Sequence, residues 1–185
     1  MVEIAMKPII LELATASKKL CFFFMTAFLL CGGSAFSATR VYQKPSDFVK
    51  SALGSLPPTQ ALKLTAAQQN AVSRLLGKRY KTTTIRYWTR NGKTAYILEE
   101  IGKVEYITTG ISVKGGRIEG MRVLVYRETH GMEVARTAFT KQFNGVSVKS
   151  DSQLSRNPRN IAGATLSVRA LTKLARLALY LETLK

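Results

Sequence analysis

The sequence is poor in the two residue types that most often carry redox and metal chemistry. In 185 residues there are two cysteines, Cys21 and Cys31, and one histidine, His130. Both cysteines fall in residues 1–37, a segment with targeting features. The remainder therefore has no residue for a disulfide, a catalytic thiol, an iron–sulfur cluster or c-type haem attachment. A single histidine also makes a zinc site or a Ser-His-Asp triad improbable, since it is the one side chain of its type. An unclustered histidine is typical of an exposed loop.

Long hydrophobic runs are also scarce, and the main one lies near the start. Lysines precede an uncharged run from Leu20 to Ala38, whose apolar centre ends at Cys31. That centre is shorter than the about 20 residues needed to span a bilayer. Ala35 and Ser37 fit a cleavage site with the cut after Ser37. The pattern predicts a secretory signal peptide over residues 1–37, and hence a periplasmic or otherwise extracytoplasmic protein. An uncleaved membrane anchor is the alternative.

Acidic residues are few. The chain has 11 Asp and Glu against 28 Lys and Arg, a formal net charge of +17. Such a field favours acidic partners and association with anionic membrane surfaces. The basic residues are spread along the chain without a dense run, and an exported protein does not meet nucleic acid in the cytoplasm. We therefore predict no nucleic-acid partner.

Residues 38–80 are predicted to form an N-terminal helical region. Ser46 is a candidate N-cap for a first helix. Thr65 and Gln68 have the spacing of a capping box that opens a second helix, and Gly77 is suited to end it.

From Lys81 the hydrophobic period changes to two, which indicates strands. Asn91-Gly92 is the strongest short signal for a hairpin, and Lys114-Gly115-Gly116 predicts a further turn. The class is α+β, with an antiparallel sheet of about four strands and helices covering one face. The predicted strands are Thr84–Thr89, Lys93–Leu98, Val104–Val113 and Arg117–Arg127.

The remaining part is predicted to be mainly helical. Glu133 to Phe143 is predicted to form a short helix with Phe139 and Phe143 on one face. Val146 and Val148 suggest a short strand. Apolar residues from Val168 to Leu181 follow helical spacing and predict a C-terminal amphipathic helix.

A small-residue turn, Asn160 to Ser167, leads into that last helix. Gly163 and Ala164 leave room for a bulky group to approach the backbone, and Thr165 places a hydroxyl beside the helix start. The first amides of a helix have no internal partner and its N-terminal end is positive, so a phosphate is favoured there.

This turn resembles the flavinylation motif of the FMN-binding domain family. The similarity runs from about residue 84 onward through ordered blocks. Asn160 and Ala162 differ from the Asp and Ser that many members have at these positions. The chain is similar, at domain level, to the flavin subunits of the sodium-translocating NADH:quinone oxidoreductase and the Rnf complex. The matching blocks are Glu100–Lys103, Tyr126–Val134, Phe139–Gly145 and Gly163-Ala164-Thr165.

The resemblance implies an FMN-binding domain over residues 81–185 and an exported electron-transfer protein, rather than an enzyme with its own substrate. It implies FMN held covalently through a phosphoester to Thr165, which is an attachment site and not a catalytic residue. A separate flavin transferase of the ApbE type would move FMN from FAD and release AMP. Redox partners would be a quinone-linked membrane protein, a cytochrome or a flavin reductase.

The resemblance also implies a set of cofactor-binding residues and no metal ligands. Gly163, Ala164, Leu166 and Ser167 would surround the phosphate, with the Ser167 hydroxyl as an additional donor. Glu128, Thr129 and Gly131 would lie near the flavin ring, with Gly131 allowing close approach of the backbone.

Several alternatives stay open at this point. The chain could be a non-redox binding or sensory module of the same fold, with Thr165 only a helix cap. A flavin-dependent reductase with its own substrate is a further alternative. Arg169 could help to hold the phosphate or be a solvated helix charge. The strand aromatics could stack on the flavin or, as is usual, build core and cross-strand pairs; they are Tyr87, Trp88, Tyr96, Tyr106 and Tyr126.

Overall fold

Six strands form one antiparallel sheet in the computed structural model, which describes residues 39–149 and 153–185. The order across the sheet is β1-β6-β5-β4-β3-β2. The predicted α+β class is confirmed. The strands are β1 (Arg40–Val41), β2 (Gln60–Lys63), β3 (Thr84–Arg90), β4 (Lys93–Ile101), β5 (Tyr106–Lys114) and β6 (Arg117–Tyr126). The α-helices are α1 (Pro45–Leu53), α2 (Ala66–Leu76), α3 (Thr137–Thr140) and α4 (Thr165–Glu182).

The predicted signal peptide, residues 1–37, lies outside the described residues. Among the helices of residues 39–149 and 153–185, none is long and apolar enough to cross a membrane.

The sheet has two more strands than the predicted four, and both come from the region predicted to be helical. β1 pairs with β6 at one edge, and β2 pairs with β3 at the other. β1 has two residues and β2 has four, and neither contains a buried side chain. Such short, exposed strands show no hydrophobic alternation, because they are held by pairing to a strand that is distant in sequence.

Helices cover both faces of the sheet, so the prediction of one covered face is wrong. On one face, α2 and α4 bury Val72 and Leu171 in the larger core. On the other face, α1 packs Phe48 and Val49 against Ala95 of β4 and Leu124 of β6. The central strands carry apolar residues on both faces, and each face then needs a covering layer.

The local signals for turns and caps are largely confirmed. Thr65 and Gln68 form the reciprocal capping box of α2, which ends at Gly77. Asn91 and Gly92 have φ values of 52° and 72°, as a type I′ hairpin turn requires. The Ser46 cap is wrong, because α1 begins at Pro45 with Lys44 as its N-cap. Proline suits the first helical position, since its φ is fixed and it has no N–H to satisfy.

The segment from Glu133 to Phe143 is not one helix. Two short 3-10 helices, Met132–Ala135 and Lys141–Phe143, flank α3. Arg136 interrupts the helical path with an extended backbone. Phe139 and Phe143 nevertheless pack together, with ring centroids 5.9 Å apart in an edge-on arrangement. Val148 makes a single bridge to Leu154 in place of a strand.

The predicted C-terminal amphipathic helix is confirmed as α4, which lies along β4 in the opposite direction. Near its C-terminal end, Glu182 accepts hydrogen bonds from Thr94 at 3.2 Å and from Tyr96 at 3.0 Å. Further back, Lys173 pairs with Glu100 at 3.6 Å. The first turn of α4 therefore lies beyond the end of β4, beside the β4–β5 loop.

Candidate functional site

A cleft of about 180 Å³ opens at the N-terminal end of α4. It brings together residues of the β4–β5 loop, the segment that follows β6, and the turn that opens α4. Most of the predicted site residues therefore meet at one place, although they are far apart in sequence. The lining residues are Lys103, Glu128, Thr129, His130, Gly163, Ala164, Thr165, Leu166 and Ser167.

Thr165 is the first residue of α4, and it does not cap the helix. The N-cap is Ala164, and no side chain makes a capping hydrogen bond there. The Thr165 hydroxyl oxygen instead accepts a hydrogen bond from Nδ2 of Asn160 at 3.1 Å. A capping hydroxyl belongs to the residue before the first helical one, where it can reach the amides of the first turn. The alternative in which Thr165 is only a cap is therefore wrong.

The first turn of α4 is suited to hold an anion. Its first intrahelical hydrogen bond runs from the Val168 amide to the Ala164 carbonyl at 2.9 Å. The amides of Thr165, Leu166 and Ser167 thus have no acceptor in a preceding turn, and the helix dipole adds positive charge. Lys103 brings a cation to the same cleft. These donors fit a phosphate group bound in the cleft.

Gly163 shapes the turn before the helix. Its φ is +79°, in the left-handed region that favours glycine, and no atom lies within 4 Å of where a side-chain carbon would be. The backbone therefore turns into α4 with open space beside Gly163.

Ser167 is buried beneath the cleft and bonded to a tyrosine. The Tyr126 phenol donates to the His130 carbonyl at 2.5 Å, and the Ser167 hydroxyl lies 2.9 Å from the same phenolic oxygen. Since the phenol has one proton and gives it to His130, Ser167 donates its own proton to Tyr126. Its side chain thereby links α4 to β6. Its backbone amide remains the group that can bind an anion.

Gly131 allows the segment after β6 to approach α4 closely. Its φ is +82°, and a side-chain carbon there would lie 3.1 Å from both Cβ of Ala164 and Oγ of Ser167. The segment after β6 can therefore pack directly against the first turn of α4. Gly131 is thus in close contact with the protein's own helix.

Glu128 holds the β4–β5 loop in place. The residue is 4 % exposed, and its Oε1 accepts hydrogen bonds from the amides of Lys103, Val104 at 2.8 Å and Glu105 at 3.0 Å. Multiple amide donors to one carboxylate oxygen make a strong, charge-assisted anchor. Glu128 thus positions Lys103 in the cleft, whereas Thr129 is exposed there.

Lys103 and His130 are site residues that sequence reasoning missed. Lys103 stood in the Glu100–Lys103 block, but no sequence pattern showed that this loop returns to α4. His130 is exposed, as predicted for a loop residue, yet it lines the cleft and its carbonyl accepts the Tyr126 proton. Arg169 is exposed and lies outside the cleft lining, as a solvated helix charge does.

The strand aromatics do not line the cleft. Tyr96 and Tyr126 are fully buried, and Tyr87 pairs with Tyr96 across β3 and β4 with ring centroids 6.1 Å apart. The usual interpretation as core and cross-strand pairs is confirmed for these three. Within residues 39–149 and 153–185, no group of three or more His, Cys, Asp or Glu side chains could hold a metal ion.

Replacing Tyr126 by Phe is expected to reduce stability and to flatten its dependence on alkaline pH. Burial raises the pKa of the Tyr126 phenol above its ordinary value of 10.0. The folded state then keeps a proton that the unfolded state loses, so the wild type is destabilised as pH rises past about 10. Loss of the two hydrogen bonds should cost about 1–2 kcal/mol at neutral pH.

Urea denaturation at about pH 8 and about pH 11 measures both effects for Tyr126→Phe. Burial and Glu182 also raise the pKa of Tyr96, so part of the alkaline slope should remain. Tyr106→Phe is the control, because Tyr106 is 47 % exposed. An alkaline slope in Tyr126→Phe equal to that of the wild type would contradict the assignment.

A comparison with known protein families finds a match for the part of the chain that forms the cleft. The model of the FMN-binding domain family matches residues 102–180, which include every residue that lines the cleft. No curated protein and no solved structure matches the chain. Over residues 102–180 the chain is therefore similar to the FMN-binding domain family.

Proposed function

We propose that this chain is an exported electron-transfer flavoprotein that carries FMN through a phosphoester to Thr165. The family match implies flavin binding and a redox role. The observation that carries the covalent link is the position of the Thr165 hydroxyl. It lies in the cleft, makes no capping bond, and stands beside amides that lack an acceptor in a preceding turn.

A separate flavin transferase of the ApbE type attaches FMN to Thr165. Thr165 Oγ1 forms the bond to the phosphorus of the FMN half of FAD, the bond from that phosphorus to the AMP phosphate breaks, and AMP leaves. The hydroxyl proton passes to a base of the transferase. The resulting diester would have one negative charge, which the first amides of α4 and the Lys103 ammonium would offset.

When bound, FMN supplies reversible electron-carrier chemistry. This chain's own residues hold and orient the group. The turn Gly163–Ser167 would hold the phosphate, and Glu128, which fixes the β4–β5 loop, would keep Lys103 beside it. Thr129, exposed in the cleft, would meet a polar edge of the ring.

Electrons would pass between this chain and partner proteins outside the cytoplasm. A quinone-linked membrane protein, a cytochrome or a flavin reductase has the required chemistry. A net charge of +17 steers acidic partners toward this protein and favours anionic membrane surfaces. The signal-peptide pattern of residues 1–37 supports the location.

The test is co-expression of the full chain with and without a flavin transferase, followed by denaturation. Intact mass and flavin fluorescence are then measured on the unfolded polypeptide. The expected result is a mass increase of one FMN less one water, only when the transferase is present. A denatured wild-type chain that retains no flavin would overturn the covalent proposal, and flavin bound only before denaturation would replace it with non-covalent binding.

A further inference from the structure

The sheet opens between β3 and β4. These strands pair only from Arg90 opposite Lys93 to Tyr87 opposite Tyr96. Beyond that point β3 continues to pair with β2, and β4 continues to pair with β5. Residues 84–86 and 97–101 therefore flank a gap in the sheet. We call this gap, with the loop residues 78–82 that border it, the β3–β4 opening; its volume is about 660 Å³.

The backbone around the β3–β4 opening resembles a pair of free sheet edges. A strand with a neighbour on one side only presents amide and carbonyl groups to the other side, where another extended chain can pair with them. The segment 97–101 is long enough, at about 3.3 Å per residue, to pair with a short extended peptide. A small ion would leave most of these backbone groups unused.

Charge identifies the kind of peptide. The opening is lined by Lys78, Arg79, Lys81 and Arg86, of which the last three are exposed.

Two carboxylates also line the opening, and both are paired with cations. Glu100 is 2 % exposed and is held by Lys78 at 2.8 Å and Lys173 at 3.6 Å. Glu99 has Arg127 at 3.7 Å. The charge presented to a ligand is therefore positive.

We propose that the β3–β4 opening binds an extended acidic peptide segment of a partner protein as an added strand. Main-chain hydrogen bonds to β3 or β4 supply affinity, and carboxylates facing Arg79, Lys81 and Arg86 supply specificity. The site is separate from the cleft at Thr165, and its occupancy needs no flavin. Because β4 leads from the opening to the β4–β5 loop, a partner anchored there would lie next to that cleft.

The test uses the purified full chain and a short fluorescein-labelled peptide of alternating valine and glutamate, at about physiological salt. Fluorescence anisotropy measures binding. A peptide of the same sequence with alternate backbone amides methylated has the same charge but cannot pair as a strand. We expect the methylated peptide to bind at least about tenfold more weakly. Hydrogen exchange should slow in residues 97–101 when the unmodified peptide is bound.

Charge reversal locates the site. The double variant Lys81→Glu, Arg86→Glu should weaken binding at least about tenfold, whereas Lys50→Glu on α1, an exposed lysine outside the opening, should change it less than about twofold. Equal binding of the two peptides, or full competition by inorganic phosphate, would overturn strand addition in favour of a simple anion site. Equal effects of the variants, or no binding, would also overturn the proposal.

Discussion

Thr165→Val is expected to give a folded protein with no covalent flavin. Valine keeps the shape of threonine but removes the hydroxyl, so no phosphoester can form. The hydroxyl makes no capping bond in α4, and the structural loss is one contact with Asn160 at 3.1 Å. The free energy of unfolding should therefore change by less than about 1 kcal/mol. Intact mass after co-expression with the transferase, together with urea denaturation, measures both outcomes.

Two matched variants separate chemistry from folding. Thr172→Val removes a hydroxyl from the same helix, where it bonds to the Val168 carbonyl, and should leave flavin attachment unchanged. Thr165→Ser keeps a hydroxyl and should retain the modification. Covalent flavin on Thr165→Val would show that another residue is the attachment site.

Glu128→Ala should produce the largest loss of stability among changes in the cleft. It removes the oxygen that accepts the amides of Lys103, Val104 and Glu105. Hydrogen bonds to a buried charged group are worth more than neutral ones, and we expect a loss of about 2–3 kcal/mol. The β4–β5 loop should then move, and amide hydrogen exchange in residues 103–105 should accelerate.

Glu128→Gln tests the same contact more gently, because the amide oxygen can still accept. Its loss of stability should be about half that of Glu128→Ala. Glu133→Ala removes a nearby carboxylate from the same segment and serves as the control. Unchanged exchange in the loop of Glu128→Ala would show that the carboxylate does not hold it.

Features that depend on neighbours in sequence were predictable. Thr65 and Gln68 satisfy each other within one helical turn, and Asn91-Gly92 adopts the positive φ values that its residue types favour. β1 and β2 were not predictable, because each is a short exposed segment that becomes a strand only through β6 or β3. The opening between β3 and β4 could not be predicted from the sequence either, because the hydrophobic alternation of β4 continues past the point where its pairing with β3 stops.

The candidate site also contains residues that could be predicted from the sequence and residues that could not. Gly163, Ala164 and Thr165 could be located because the turn and the helix start are local, and because the motif resembles a known family. Lys103 could not, because its place in the cleft depends on the bond between its amide and Glu128. The packing of Gly131 against Ala164 and Ser167 was not predictable either, because it depends on how the segment after β6 meets α4.

The most direct measurement is tandem mass spectrometry of the tryptic peptide that contains the turn, taken from chain matured with the transferase. Cleavage after Arg159 and Arg169 yields residues 160–169, in which Thr165 and Ser167 are the only hydroxyl side chains. We expect the fragment ions to place FMN, less one water, on Thr165. An unmodified peptide, or FMN on Ser167, would contradict the assignment of Thr165 as the attachment site.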